Sequence, residues 1–336
     1  MIYFPLYKEL FTRETKMLLD TNGVKVSAFK YNSGVEALKV ENSQGYLIVL
    51  PYVGQMIWDA RFKGIDMCME NMFSEPKAKN TIIETYGCFA FHSGIIRNGC
   101  PSPQDDHPLH GEMPCAAMDK AWLEIDGDKV SVKGEYEYVM GFGDHYLASP
   151  SVALAQDSSL FKICMTVKNL ASVPMPLQYM CHMNTAYFEN ATLSQNIPNR
   201  AIQLRESIPA HVKPTPSWLD FNQTLKQSST PINCLNTPEF YDPEIVYFMD
   251  DLSKYSENLE FKMELEDGRV LITKFNSSEF NFATRWILYN GDQKVGAYVL
   301  PATCRPEGYL AAKESGSLIV LETGGVRTFT VETGVL

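Results

Sequence analysis

The chain has 336 residues, a formal net charge of −11 and 45% hydrophobic residues. That length and apolar content suffice for a sizeable core in one large domain or two ordinary ones, and they exclude a chain disordered throughout. The acidic balance, with no Lys/Arg cluster to reverse it, argues against a nucleic-acid partner, and no apolar run is long enough to span a bilayer as a helix.

From Leu6 to Leu19 the apolar residues Leu6, Leu10, Phe11, Met17 and Leu18 have helical spacing, which predicts a short N-terminal helix or extension over residues 1–22. The start, Met1 to Glu9, lacks the basic-then-apolar order of a signal peptide, so a cytoplasmic location is expected. After Asn22-Gly23 the pattern changes to period two. Strands are predicted over 24–29, 35–40, 46–50 and 55–62, then 122–132 with a turn at Asp126-Gly127, and 151–167.

The clearest hairpin runs from Leu259 to Leu265, turns at Asp267-Gly268 and returns over Val270 to Phe275. Ser317 to Leu321 and Val326 to Val331, around Gly324-Gly325, repeat the theme. Many short strands with no alternating strand-helix rhythm predict an all-β fold, a single large antiparallel β-sandwich over residues 23–336. Two segments resist assignment as strands, Asn71 to Pro108 and Glu189 to Lys226; loops of that length are usually functional walls or lids.

Eight cysteines are scattered with no CxxC pair, which points to reduced core or wall residues rather than disulfides or a zinc site. Three of the six histidines lie between His92 and Gly111. His107 and His110, beside Asp105 and Asp106, have an HxxH spacing that suggests a metal. Pro108 between them keeps them off a regular helix and no third His is near, so proton transfer or substrate hydrogen bonding is expected ahead of a structural loop role or a metal. Gly111 after His110 would allow a ligand close to the backbone.

His182 stands in an apolar, strand-like run, Gln178 to Phe188. It is either a satisfied core histidine or a desolvated imidazole in a pocket wall, and Asn184, two residues on, would share its face. Arg285 and Trp286 suit a sugar, with a charged donor beside an aromatic platform, or are plain core and its neighbour. No GxSxG, P-loop or strand-linked GxGxxG is present, and no cofactor is implied.

These motifs together resemble the galactose-mutarotase-like family, specifically a bacterial, aldose 1-epimerase-like branch of otherwise unknown function. Phe91 to Gly99 is similar to that branch's segment ending in Asn-x-Gly, Leu109-His110-Gly111 to its Leu-His-Gly, and Tyr179 with His182-x-Asn184 to its Tyr-His-x-Asn strand. Trp286 and the run Pro301 to Gly308, with Glu307, match its last motif. The resemblance implies a supersandwich with an open cleft holding a small carbohydrate, and an isomerase chemistry of acid–base ring opening and reclosure. Carried over, His182 would be the acid at the ring oxygen, His110 a sugar-binding catalytic partner, and Arg97 a substrate-binding residue. One departure matters. The family's general base is a Glu immediately before the Pro of the last motif, and Leu300 stands there. Glu112, Asp105 and Asp106 are the expected substitutes; without one, the chain is a carbohydrate-binding or sensor protein that kept the cleft.

Overall fold

The computed structural model of the chain describes residues 1–21, 23–209, 212–228 and 230–336. Its strands form two antiparallel sheets, one of nine strands and one of thirteen. The period-two pattern explains why they face each other. His145–Ala155 alternates buried and part-exposed residues without a break, and Leu160–Asn169 does nearly the same, so each turns one face to the other sheet and one to water. The predicted hairpin forms, from Asn258–Glu264 and Val270–Asn276, with Leu259 opposite Phe275.

The middle of the thirteen-stranded sheet is different. Its neighbouring strands Ile245–Met249, Phe282–Tyr289, Lys294–Ala302, Met175–Met183 and Ala90–Ile95 are buried on both faces over most of their length. One face packs into the sandwich; loops cover the other. Those loops come from the two segments that resist strand assignment, and between them and the sheet lies the cleft described below.

Several local expectations change. The N-terminal segment with helical spacing is a strand Ile2–Leu6, a single 3-10 turn Lys8–Leu10 and a strand Lys16–Asp20. The first pairs with Lys120–Asp126 at the edge of the nine-stranded sheet; the second pairs with Lys25–Lys30 at the edge of the other. Short helices gain little without a partner face, whereas each edge offers a ready ladder of backbone donors and acceptors. Ala90–Ile95 hides inside the first unassigned segment because burial on both faces removes its alternation.

The second unassigned segment contains the strands Thr192–Gln195 and Ile202–Leu204 and the helix Pro216–Gln227. That helix carries a readable start signal: the Thr215 side chain accepts a hydrogen bond from the Trp218 backbone N–H, with Pro216 at the first position. At the C-terminus the turn at 324–325 does not make a hairpin. Ile319–Leu321 pairs with Met175–Leu177 in the large sheet, and Val326–Val335 runs between two strands of the small one.

Because Leu6 and Phe11 are buried and the Leu6 carbonyl accepts the Tyr52 hydroxyl at 2.7 Å, deleting residues 1–11 is expected to cost about 3–6 kcal/mol from apolar burial alone. A urea titration of the truncated chain checks this; an unchanged midpoint would show the segment to be dispensable.

Candidate functional site

The cleft has a volume of about 420 Å³ and lies on the loop-covered face of the large sheet. Strand geometry decides which side chains form its floor. On Phe282–Tyr289 the alternate residues Thr284, Trp286 and Leu288 face it, and on Met175–Met183 so do Met180 and His182. Leu300 lies opposite Thr284 and Val246 opposite Trp286, which puts both on the same floor. Walls come from Phe73, Ile83 and Tyr86 on one side and from Leu109, His110, Arg205 and Pro306 on the others.

At its centre is a cluster of rings. His182 stacks on Phe91 with centroids 4.5 Å apart and meets His110 edge-on at 4.7 Å. Trp286 lies 5.8 Å from His182, and Tyr86 contacts both histidines and the Trp. The Tyr86 hydroxyl is 3.4 Å from His182 Nε2. Burial draws the His182 imidazole down to about 3, with the Asn184 side chain pulling weakly the other way. The ring is therefore neutral across the physiological range, with one nitrogen able to accept a proton and the other to hold one.

His110 is held by a strained backbone, at φ 63°, where a side chain other than glycine is uncommon. Its Nδ1 is 3.0 Å from Ser93 Oγ, which in turn donates its single proton to Asn98 Oδ1 at 2.5 Å. Ser93 then accepts Nδ1–H, and Nε2 becomes the accepting nitrogen of His110. The glycine that follows, Gly111 at φ 80°, makes room for protein and not for a ligand: a Cβ there would sit 2.0 Å from the Arg97 carbonyl oxygen.

One carboxylate lines the cleft among the described residues, that of Glu244. Its Oε1 accepts from Arg205 Nη2 at 2.7 Å and its Oε2 accepts from Trp286 Nε1 at 2.7 Å. Both partners of this ion pair are about nine-tenths buried, so it is screened little by solvent and fixes the Trp286 ring from one side.

A family model for a domain of unknown function, DUF4432, matches residues 32–335. The chain belongs to the DUF4432 family. No curated protein matches it by sequence. In three dimensions it is similar to a Klebsiella pneumoniae protein provisionally called an aldose 1-epimerase, with TM-score 0.78, 11% identity, and 100% of this chain and 91% of that one covered. It is also similar to a galactose mutarotase-like protein from Clostridium acetobutylicum, with TM-score 0.62, 13% identity and coverage of 94% and 99%. A galactose mutarotase related enzyme from Lactobacillus acidophilus gives TM-score 0.60 at 10% identity, covering 89% and 97%. At these identities the likeness establishes the fold: this DUF4432 chain is a galactose mutarotase-like β-sandwich.

Of the eight residues the sequence nominates, the DUF4432 fold brings His182, His110 and Trp286 into one cleft and places five outside its lining. Arg285 must point opposite to Trp286, because successive strand residues face opposite sides. It is fully buried in the sandwich, donating to the Tyr298 and Ile232 carbonyls, Asn233 Oδ1 and Gln195 Oε1. Asn184 lies beyond the strand's end, behind His182, with its amide donating to the Cys88 carbonyl. The Arg97 guanidinium stacks on Tyr309 at 4.3 Å. His107 folds onto its own loop, Nδ1–H donating to the Pro108 carbonyl at 2.9 Å and Nε2 3.8 Å from Asp105. Glu307 accepts the Ser207 hydroxyl and lines neighbouring cavities.

The carboxylates expected to replace the missing Glu are engaged elsewhere. Glu112 accepts from the Ile95 and Ile96 backbone N–H groups and the Tyr146 hydroxyl. Asp105 accepts from Ser102 and the Leu310 N–H, and Asp106 is exposed on the same loop. Sequence reasoning missed Tyr86, Arg205 and Glu244. Glu244 directly precedes the buried strand Ile245–Met249, but nothing local distinguishes it from other turn carboxylates. Among the described residues no group of three or more His, Cys, Asp or Glu is arranged to hold a metal ion, and no helix is long and apolar enough to cross a membrane.

Arg285→Ala leaves four acceptors without their donor and is expected to cost about 3 kcal/mol or more, measured by urea unfolding. His182 and His92 are both drawn from 6.5 to about 3 by burial. The unfolded chain binds more protons between those values, so stability is full above about pH 6.5 and falls as pH drops toward 3, by up to about 1.4 kcal/mol per pH unit for each ring. Urea midpoints from pH 7.5 to 4 should fall with this sign, less steeply in His182→Gln; a flat profile would contradict it.

Proposed function

We propose that the cleft binds the reducing end of a sugar and interconverts its anomers by acid–base ring opening. The observation that carries this reading is the meeting of His182, His110 and a carboxylate, Glu244, in one cleft. The chemistry needs a base and an acid on the two oxygens of the hemiacetal. In this reading Glu244 takes the proton of the anomeric hydroxyl as the bond between C1 and the ring oxygen breaks. The neutral His182 first takes up a proton from solvent, and the imidazolium so formed supplies it to that ring oxygen, which receives the bonding electron pair. Rotation about C1–C2 and the reverse transfers close the ring on the other face.

His110, with Nε2 as its accepting nitrogen, hydrogen-bonds a sugar hydroxyl, and Trp286 offers an edge to the ring. Glu244 thereby stands in for the carboxylate that Leu300 lacks. Its partners Arg205 and Trp286 orient it. The same Leu300, buried in the floor, favours a second reading, a carbohydrate-binding or sensor protein without turnover.

NMR of freshly dissolved α-anomers separates the two. Wild type is expected to speed equilibration of at least one sugar in a panel, with Glu244→Gln and His182→Ala each lowering kcat/KM by about 10²–10⁴-fold, while thermal melting shows both still folded. Equilibration no faster than in buffer, with calorimetric binding retained, would establish the binder instead.

A further inference from the structure

The cleft does not end at Arg205. A neighbouring cavity of about 350 Å³ shares Cys100, Arg205 and Pro306 with it, and that cavity shares Ser207, Phe248 and Glu307 with a third of about 570 Å³. One sheet face floors this trough. Val246 lies opposite Trp286 and Phe248 opposite Thr284, and residues directly opposite in an antiparallel pair project from the same face. From the strand of His182 to that of Phe248 the sheet takes three steps, about 14 Å at the usual spacing between strands. A single pyranose ring beside the histidines leaves much of that length empty.

The far part has the makings of a sugar subsite. Pro101, Pro103 and Ile208 offer apolar surface. Arg305 lies over the Phe248 ring at 4.8 Å and is anchored by Asp250 at 3.0 Å, while Ser207 donates to Glu307 at 2.9 Å. These are held polar groups around an apolar face, the combination that takes sugar hydroxyls and a sugar ring together.

Taking the cleft as a sugar site, on which this inference rests, we infer that the trough holds a second sugar ring, so that the ligand class is a reducing disaccharide or longer glycan. With the anomeric carbon at the histidines, the second ring leaves the first from its distal side, at C4 or C6.

Calorimetric titration tests this with 1,4- and 1,6-linked reducing disaccharides and their reducing-end monosaccharides, run beside the NMR assay of the same sugars. Ser207→Trp is the blocking variant, at an exposed loop position. At least one disaccharide should bind wild type about tenfold or more tighter than its monosaccharide. Ser207→Trp should remove that advantage and leave monosaccharide binding within about twofold. Equal affinity for the two sizes, equal weakening of both by the variant, or no binding of either would overturn the inference. Tight disaccharide binding without faster anomer exchange would sink the catalytic reading above and leave this one standing.

Discussion

A strand has two faces, and in the middle of the thirteen-stranded sheet both are buried. The inner face is covered by the nine-stranded sheet, which leaves the outer face an apolar surface that water cannot cover cheaply. The loops of residues 71–88 and 97–118, with Arg205 and Val212, cover it, and the space they leave is the cleft. Its chemistry follows from the same constraint. His182 is placed among Phe91, Tyr86 and Trp286, so burial holds the imidazole neutral without a charged partner. A neutral ring beside the loop-borne His110 is what a proton-transfer site and a dry binding site both require, which is why the ring cluster alone does not choose between them.

The period of two sorts charges as strictly as it sorts apolar residues. Arg285 and Trp286 are neighbours in sequence and face opposite ways: the guanidinium ties the interior of the large sheet to Gln195 on a strand of the small one, while the indole enters the cleft and donates to Glu244. Two buried guanidinium systems thus do different work. Arg285 satisfies carbonyls and fixes the two sheets against each other. Arg205 neutralises the carboxylate that faces the cleft, and its side chain separates that cleft from the next cavity. A buried carboxylate without such partners would carry a large desolvation cost, and the hydrogen bonds from Arg205 and Trp286 offset it at Glu244.

Much of the fold was legible because sandwich strands advertise themselves. The hairpin around Asp267-Gly268 alternates so cleanly that its two strands and its turn could be read directly. Legibility failed where a strand is buried on both faces, as at Ala90–Ile95, and where tertiary pairing overrode local spacing, as in the N-terminal segment, whose apolar residues repeat at helical intervals yet pair at two sheet edges. The site was legible to the extent that its residues sit in motifs. His110 and His182 stand out as rare ionisable groups in Gly-rich and apolar surroundings. Glu244 does not stand out, because an acidic residue in a turn before a strand is ordinary until the strand's neighbours are known.

The sequence by itself determined the sheet-on-sheet class, the period that assigns inward and outward residues, the family resemblance and the absence of a carboxylate at Leu300. Tertiary structure alone decided which of the nominated residues meet. Asp105, Glu112 and Arg97 lie close to His110 along the chain and point into backbone, loop or aromatic partners, whereas Tyr86, Arg205 and Glu244 come from three distant segments to one cavity. The reason is physical: spacing along a chain fixes the face a side chain takes on its own strand, but the occupant of the space in front of that face is set by long-range pairing and by loops whose course no local pattern encodes.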